Sequence, residues 1–368
     1  MSTPSAEGPA PPDPIRASDT HGQHRIATEP VTGPDRTRLA FLDAIRGLAA
    51  SIVVLAHIGP LVSDSFAWTY LHVVDFGQLG VVLFFICSGF VIPSSLEREN
   101  SLAAFWVKRF FRLYSVFWVS LLGAFAYAGL RIKENGDLMA ADWLANITMA
   151  APAFGAQVAL PPYWTLVYEL LFYGLVSVLF LLRISHLSVE LSLLTSAAGI
   201  SLALLVPLPV ADQLNGGVFW IGSMFTGTVL HRWFHGQTRA LTAAACVLGT
   251  LAVGVLSVVT SLHGVARDSD PFHSHMWPLI TAWVGAYLIF FGLLATRRYP
   301  IRLLVWLGTI SYSMYVLHEL VLVVVPKDGP PLVPIALGFA LTVALSALTY
   351  RWIEAPGMAA GRKYAARV

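Results

Sequence analysis

The feature that most constrains this chain is a series of apolar segments, each long enough to cross a lipid bilayer. A transmembrane helix needs about 20 predominantly apolar residues. Windows of this kind lie near residues 40–60, 72–93, 110–130, 163–183, 187–208, 215–231, 240–262, 276–296, 303–325 and 332–350. Of the 368 residues, 56% are hydrophobic and only 12% are charged, whereas about a quarter of an ordinary soluble domain is charged. The sequence therefore predicts an all-α, polytopic transmembrane helix bundle.

The positions of the Lys and Arg residues indicate how many windows span the bilayer. Cytoplasmic loops collect basic residues, and one extra span would invert every later loop. An eleventh candidate window, 140–160, contains Asp142 and Asn146 and has no clean apolar core. With ten spans and a cytoplasmic N-terminus, most basic residues fall on the cytoplasmic side. We therefore expect about ten spans, both termini in the cytoplasm, and an outer loop over 131–162.

The segments outside the windows predict tails and no further domain. Residues 1–38 are rich in Pro, Ser, Thr and Asp and lack the apolar core of a signal peptide, so we expect a disordered cytoplasmic tail. We also expect a single transmembrane domain over 39–356 and a short basic cytoplasmic tail over 357–368. The net charge of +2 gives no electrostatic footprint for nucleic acid. The two cysteines, Cys87 and Cys246, lie in apolar runs and predict neither a disulfide nor a metal pair.

The first window carries three ionisable residues, within LDAIRGLAASIVVLAH at residues 42–57. At about 100° per residue, Asp43, Arg46 and His57 project from one face of the helix. Arg46 and His57 are separated by a rise of about 16 Å, so we expect no direct contact between them. A charge in a bilayer costs about 2.5–3.5 kcal/mol, so such residues usually face a wet cavity or a partner. The stripe indicates a polar passage, or else a structural Asp43–Arg46 pair with a histidine at the interface.

Two later segments suit the approach of a phosphate-bearing ligand. FWVKRFFRLY places Lys108, Arg109 and Arg112 at the cytoplasmic mouth of the third window, a cluster suited to phosphate or to lipid headgroups. Ser88 lies among small residues in ICSGF, where a ligand or a neighbouring helix can approach the backbone closely.

Two further segments place polar and aromatic residues near the depth of His57. YWTLVYELLFY carries Trp164 and Glu169, and Glu169 either orients the imidazole of His57 or is paired structurally. In LGTISYSMYVLHE, one polar and aromatic helix face suits a sugar-like acceptor or a hydrogen-bonded helix seam. The members of this face are Gly308, Ser311, Tyr312, Tyr315, His318 and Glu319. The HSH sequence at 273–275 has no supporting carboxylate, so we expect no metal site.

In combination, these segments resemble the acyltransferase 3 family of integral-membrane O-acyltransferases. LDAIRG with His57 resembles its N-terminal signature, in which an Arg or Lys is followed by ten residues and then a His. GVVLFFICSGFVI, FWVKRFFRLY, YWTLVYE and ISYSMYVLH resemble its later blocks in the same order, and RWIEAP resembles its usual end. Two positions depart from the pattern: Cys87 replaces an aliphatic residue, and Ser115 stands where proline often follows Arg-Leu-Tyr.

The resemblance implies transfer of a small acyl group, typically acetyl, from cytosolic acyl-CoA to a hydroxyl group. The implied acceptors are a polysaccharide, a cell-wall glycan or a glycosylated metabolite such as a macrolide. His57 and Arg46 become the candidate catalytic residues, to which the depth argument adds Glu169. The candidate donor-binding residues are Arg109, Arg112, Lys108 and Ser88. The candidate acceptor or pore-lining residues are Asp43, Trp164, Tyr312, Tyr315 and His318.

We expect no cofactor, with acyl-CoA as a co-substrate, and partners limited to acyl-CoA, a glycan or glycoside and the lipid bilayer. The expected location is a cytoplasmic membrane of the bacterial type. Two other functions are compatible with buried charges in a bundle. One is a proton-coupled transporter or flippase for a sugar or lipid-linked substrate, with His57 and Glu169 as a proton relay. The other is a membrane scaffold without catalysis.

Overall fold

The structure, a computed structural model, describes residues 34–130, 138–205, 208–264 and 276–368. Within these ranges every regular element is helical, which confirms the predicted all-α class. The helices are α1 Pro34–Val62, α2 Asp64–His72, α3 Phe76–Glu99, α4 Leu102–Leu130, α5 Ala140–Ile147, α6 Trp164–Leu181, α7 Ser188–Leu205, α8 Leu208–Phe234, α9 Ala240–Gly264, α10 Met276–Ala295, α11 Arg302–Thr309, α12 Ser311–Val324, α13 Leu332–Thr349 and α14 Ala355–Ala365. Short 3-10 turns occupy Ala151–Phe154 and Pro161–Tyr163, and a π-helical turn occupies Tyr350–Glu354.

Among the described residues, eight helical segments are long and apolar enough to cross a membrane. They are Ala40–Val62, Phe76–Glu99, Leu102–Ala128, Pro161–Leu181, Ser188–Leu205, Ala240–Val259, Met276–Ala295 and Leu332–Ala365. The pair α11 and α12, bent by 74°, makes a ninth if it is one broken span. The predicted window 215–231 lies in α8, which is not one of the eight. A polytopic helical bundle is therefore confirmed, while ten spans and cytoplasmic termini stay predictions.

The segment over 140–160 does not form a membrane-spanning helix. Its polar residues instead tie a compact loop together: Asn146 donates to the carbonyl of Gln157 at 2.7 Å. The Asp142 carboxylate accepts from the backbone N–H of Gln157 at 3.1 Å. Tyr114 of α4 donates to the carbonyl of Thr148 at 2.7 Å, so the loop is held against α4. The residues that interrupt the apolar window are therefore those that fold it as a loop.

Two glycines allow helix backbones to touch next to the polar stripe of α1 and next to Ser88. A Cβ atom at Gly308 of α11 would lie 1.9 Å from the carbonyl oxygen of Asp43 on α1. A Cβ atom at Gly89 of α3 would lie 1.7 Å from the carbonyl oxygen of Met224 on α8. Because both distances are far below van der Waals contact, only glycine permits these crossings.

The ends of the chain pack differently from the predicted tails. Most of the predicted tail over 1–38 lies outside the described residues, and residues 34–38 begin α1. The C-terminal segment is helical as α14 and packs on α4, with the Tyr364 and Phe111 rings stacked at 5.6 Å. The basic C-terminal segment is therefore part of the folded bundle. The HSH sequence at 273–275 lies outside the described residues.

Candidate active site

The polar stripe of α1 is divided between two cavities in the bundle. We call the cavity that Arg46 lines the inner cavity and the cavity that His57 lines the outer cavity, after the predicted orientation of α1. The two side chains thus line different spaces, in agreement with the rise between them. Asp43 pairs with Arg46, with Oδ1 3.6 Å from Nη1. The structure therefore contains the structural Asp43–Arg46 pair, while a continuous polar passage along α1 stays a prediction.

The inner cavity is narrow and strongly cationic. Its volume is about 70 Å³, and guanidinium groups from Arg46 on α1 and from Arg109 and Arg112 on α4 line it. Arg109 is only 9% exposed, and its guanidinium lies over the rings of Phe105 and Tyr173 at 5.4 and 5.5 Å. Aromatic faces attract a cation and hold it away from bulk water. The arrangement suits an elongated ligand that carries negative charge.

Glu169 lies in this inner cavity, which corrects the expectation that it orients His57. Glu169 accepts a short hydrogen bond from the hydroxyl of Tyr173 and lines the cavity with the arginines. The carboxylate beside His57 belongs to Glu319 of α12, with Oε1 3.5 Å from Nε2. The reason is helix packing, because α12 runs along α1, whereas α6, which carries Glu169, packs on α3. Depth along a helix does not indicate which helix is the neighbour of α1, so Glu169 was predicted as the partner of His57 although Glu319 is the residue in contact.

A basic pocket on the surface lies next to the inner cavity. Arg109 and Arg112 line both spaces, and Lys108 and Arg362 of α14 complete the surface pocket. Lys108 also forms a close ion pair with Glu99 at the end of α3. The predicted cluster of basic residues therefore lines a surface pocket, and Arg362 joins it through the folding of α14 onto α4.

His57, His318 and Glu319 form a cluster at the wall of the outer cavity. The Nδ1 atom of His57 lies 2.8 Å from the carbonyl oxygen of Val53, and Nδ1 of His318 lies 2.8 Å from that of Tyr315. A carbonyl only accepts, so Nδ1 is the nitrogen that donates in each ring and Nε2 is the nitrogen able to present a lone pair. Both Nε2 atoms face Glu319 Oε1, at 3.5 Å from His57 and 3.7 Å from His318.

The outer cavity is large, with a volume of about 690 Å³, and its wall is rich in aromatic residues. Trp164, Trp220 and Trp283 line it together with His57 and Tyr70. Tyr70 lies outside the membrane-spanning segments, and burial, together with the neighbouring Asp75 carboxylate, raises the pKa of its hydroxyl. Tyr70 therefore stays protonated as a hydrogen-bond donor. The volume suits a ring-sized ligand, for which the inner cavity has no room.

Two buried polar atoms on this wall have no partner among the described residues. They are the amide oxygen Oε1 of Gln78 and the indole nitrogen Nε1 of Trp283. Buried polar groups are rarely left without a hydrogen bond, because each costs about 1–3 kcal/mol. One atom is a hydrogen-bond acceptor and the other a donor, and both belong to side chains that line the outer cavity. Neither residue belongs to a recognisable motif, since each is a lone Gln or Trp in an apolar window of the sequence.

Tyr315 lies between the two cavities. It lines both of them, as does Val81. The Tyr315 hydroxyl lies 2.6 Å from Oγ1 of Thr165 and donates to the carbonyl of Pro162 at 3.1 Å. These bonds join α12 to the start of α6. A single layer of side chains therefore separates the cationic space from the space that contains His57.

Three of the remaining predicted site residues line the same two spaces, and the fourth, His318, lines neither. Ser88 and Tyr312 line the inner cavity, and the Tyr312 hydroxyl donates to the carbonyl of Leu113 at 2.8 Å. Trp164 lines the outer cavity. His318, predicted as an acceptor or pore-lining residue, is fully buried behind His57, with the ring centroids 4.8 Å apart.

Comparison with known sequences gives one family match. The family model described as an acyltransferase domain matches residues 39–351. Nodulation protein 10 of Rhizobium leguminosarum bv. viciae is 26% identical over 369 aligned positions, which cover 86% of this chain and 92% of that protein.

Two further relatives match to different extents. The peptidoglycan O-acetyltransferase OatA of Listeria monocytogenes is 25% identical over 86% of this chain, and the match covers 55% of that longer protein. The acyltransferase MdmB of Streptomyces mycarofaciens is 32% identical over 92 positions, which are 24% of each chain. No solved structure matches the chain.

Proposed function

The chain belongs to the acyltransferase 3 family, and on that premise we propose that it transfers a small acyl group, acetyl in the simplest case, from acyl-CoA to a hydroxyl group of a carbohydrate-containing acceptor. The observation that carries this proposal is the pair of cavities, one cationic and one aromatic, on either side of Tyr315. The relatives named above come from bacteria, and one is named as a peptidoglycan O-acetyltransferase. We accordingly place the reaction in a cytoplasmic membrane of the bacterial type.

The donor enters at the basic surface pocket. The phosphates of CoA carry negative charge, and Lys108, Arg109, Arg112 and Arg362 offer cations at the entrance. Arg46 extends the cationic wall along α1 toward His57. A rise of about 16 Å between Arg46 and His57 suits an extended pantetheine arm. The thioester then has only the layer around Tyr315 to cross before it reaches His57.

The chemistry assigned to His57 is general base catalysis. The acceptor hydroxyl gives its proton to Nε2 of His57 while its oxygen attacks the thioester carbonyl carbon. The tetrahedral intermediate collapses, the carbon–sulfur bond breaks, and the imidazolium returns the proton to the departing CoA sulfur. Val53 holds Nδ1 as the protonated nitrogen, so Nε2 is the base. Glu319, 3.5 Å from Nε2, stabilises the imidazolium while it exists.

The acceptor occupies the outer cavity. The faces of the tryptophan rings suit the apolar faces of sugar rings, and Gln78 Oε1 and Trp283 Nε1 offer an acceptor and a donor to hydroxyl groups. The volume of about 690 Å³ lies in the range of ordinary small-molecule sites, so one or two sugar rings fit.

The test is a transfer assay with the purified protein in lipid nanodiscs. Acetyl-CoA and a panel of glycans and glycosides are added, and the acceptor is analysed by mass spectrometry for a new ester. In His57→Ala, transfer is expected to fall by about 10² to 10⁴-fold, the usual contribution of a general base. His186→Ala, at an exposed site in the loop after α6, is the matched control.

Two outcomes would contradict the proposal. One is transfer at the parental rate by a folded His57→Ala variant. The other is accumulation of a sugar in proteoliposomes without release of CoA, which would favour the transporter.

A further inference from the structure

Three side-chain atoms that suit a transition metal converge beside the outer cavity. They are Nε2 of His57, Nε2 of His318 and Oε1 of Glu319, and all lie within 4.8 Å of one another. The two nitrogen–oxygen distances are 3.5 and 3.7 Å. His57 comes from α1, whereas His318 and Glu319 are neighbours on α12, so the cluster exists only because these helices pack together.

The hydrogen bonds behind the two rings leave Nε2 of each ring available to a metal. Histidine ligands almost always donate their second ring N–H to a carbonyl or carboxylate, which fixes the tautomer and aims the lone pair at the metal. His57 donates from Nδ1 to Val53, and His318 donates from Nδ1 to Tyr315, each at 2.8 Å. Both lone pairs are thereby held toward Glu319.

His318 gives a second, independent indication of a ligand. Its side chain is fully buried, and Nε2 has no hydrogen-bond partner among the described residues. A buried acceptor without a donor is costly, and a bound cation removes that cost. An unpaired lone pair that faces a carboxylate and a second lone pair is an arrangement that a cation stabilises.

We infer that His57, His318 and Glu319 form a binding site for Zn²⁺ or a similar divalent transition metal. Metal–ligand bonds of about 2.0–2.2 Å in a tetrahedral site place ligand atoms about 3.3–3.6 Å apart. The two nitrogen–oxygen distances are already close to this range, whereas the two histidine nitrogens, within 4.8 Å of each other, must approach further. His57 and Glu319 are partly exposed and able to move toward the buried His318. Two imidazoles select against Mg²⁺ and Ca²⁺, which prefer oxygen ligands.

A metal at this site prevents the transfer reaction. The ion occupies the Nε2 lone pair of His57, and that lone pair is the base in the proposed reaction. Because His57 lines the outer cavity, the ion enters from that cavity and its fourth ligand is water. This second half of the inference rests on the proposed function, whereas metal binding itself does not.

The binding test uses Co²⁺ as a spectroscopic probe of the full-length protein in nanodiscs, after removal of the purification tag and treatment with EDTA. We expect one equivalent of Co²⁺ with the visible absorption of a four-coordinate site. Affinity is expected to fall at least tenfold in Glu319→Gln and in His318→Gln. Glu319→Gln preserves the shape of the side chain, so it still tests the metal site if His318→Gln fails to fold. A variant with His273→Ala and His275→Ala is the matched control and should bind as the parent does.

Binding that is absent, or unchanged in folded Glu319→Gln, would overturn the metal site. The transfer assay supplies the second readout: Zn²⁺ is expected to inhibit the parent protein, and EDTA is expected to restore it. Transfer that requires Zn²⁺, or continues unchanged with the site filled, would overturn the inhibitory role. If no acyl transfer is found, the proposed function fails, and the Co²⁺ titration still decides the metal site.

Discussion

At the scale of single residues, the position of His57 depends on one backbone carbonyl and one carboxylate. Val53 is one turn earlier on the same helix, so its contact with Nδ1 is local and follows from the sequence spacing. Glu319 is far away in the sequence, and its contact with Nε2 depends on how α12 packs on α1. In the proposed reaction, the first contact selects the nitrogen that acts as base, and the second stabilises the charged ring.

Exchange of one carboxylate for an amide separates the roles of Glu319 and Glu169. In Glu319→Gln, we expect the turnover rate to fall by about 10- to 100-fold, because a contact with a charged group contributes about 1.5–3 kcal/mol. In Glu169→Gln, the main change is expected in the KM for acyl-CoA, since this residue lies among the arginines. Steady-state kinetics with each substrate varied in turn measures both. A larger loss of turnover in Glu169→Gln would restore that residue as the partner of His57.

The arginines of the inner cavity are expected to act on the donor alone. In Arg112→Gln, the KM for acyl-CoA should rise by about 10- to 100-fold, because one charge-assisted contact with phosphate is lost. The KM for the acceptor should stay within about twofold, since Arg112 does not line the outer cavity. Arg298→Gln, at an exposed site after α10, is the control. Unchanged donor kinetics in Arg112→Gln would move the CoA site elsewhere.

At the scale of helices, the bend between α11 and α12 positions the site. The bend of 74° lets α11 contact α1 near Asp43 while α12 presents Tyr315, His318 and Glu319 near His57. The RWIEAP segment supports α12 from behind, since the buried Glu354 accepts a hydrogen bond of 2.6 Å from Ser313. The RWIEAP segment, the last of the segments that resemble the family, thus packs against α12.

A methyl group at Gly308 should separate α11 from α1. In Gly308→Ala, the added Cβ would lie 1.9 Å from the carbonyl oxygen of Asp43, so we expect destabilisation of about 1–3 kcal/mol or more and weakened transfer. Gly292→Ala on α10 has nothing within 4 Å of the added atom and is the matched control. Thermal unfolding of both variants in the same nanodiscs is the measurement. Equal stability of the two would show that α1 and α11 are not in backbone contact.

Much of the helix pattern, but less of the site, was predictable from the sequence. The apolar windows predicted helices because the bilayer sets the length of a span, and that length can be recognised within one segment of the sequence. The polar stripe of α1 could also be recognised within one segment, since residues on one helix have a fixed angular spacing. Gln78, Trp283 and Arg362 were missed, because their roles arise only where other helices enclose a space.

At the scale of the whole molecule, the bundle keeps two chemically different spaces apart. Acyl-CoA is soluble and anionic, whereas a glycan acceptor presents hydroxyl groups and ring faces, so one cavity wall would suit both poorly. In the proposed reaction, the layer around Tyr315 keeps the thioester away from water until it meets His57. Exclusion of water from an acyl donor suppresses hydrolysis, which competes with transfer.

Removal of the Tyr315 side chain should uncouple donor use from transfer. In Tyr315→Ala, we expect acyl-CoA hydrolysis without acceptor to rise several-fold and the yield of ester per CoA released to fall, because the two cavities then connect. Measurement of free CoA and of ester in the same reaction gives this ratio. Tyr299→Ala, at an exposed position, is the control. A ratio equal to that of the parent would show that Tyr315 does not separate the spaces.

The sequence by itself determined the helical class, the series of apolar spans and the stripe of α1, because apolar length and angular spacing are properties of one helix. Only the tertiary structure decided which carboxylate contacts His57 and that the arginines and the tryptophans line different cavities. It also decided that His318 is buried behind His57. These features depend on which helices are neighbours. That choice is made by close backbone contacts at positions such as Gly308 and by the bend between α11 and α12, which no single segment encodes alone.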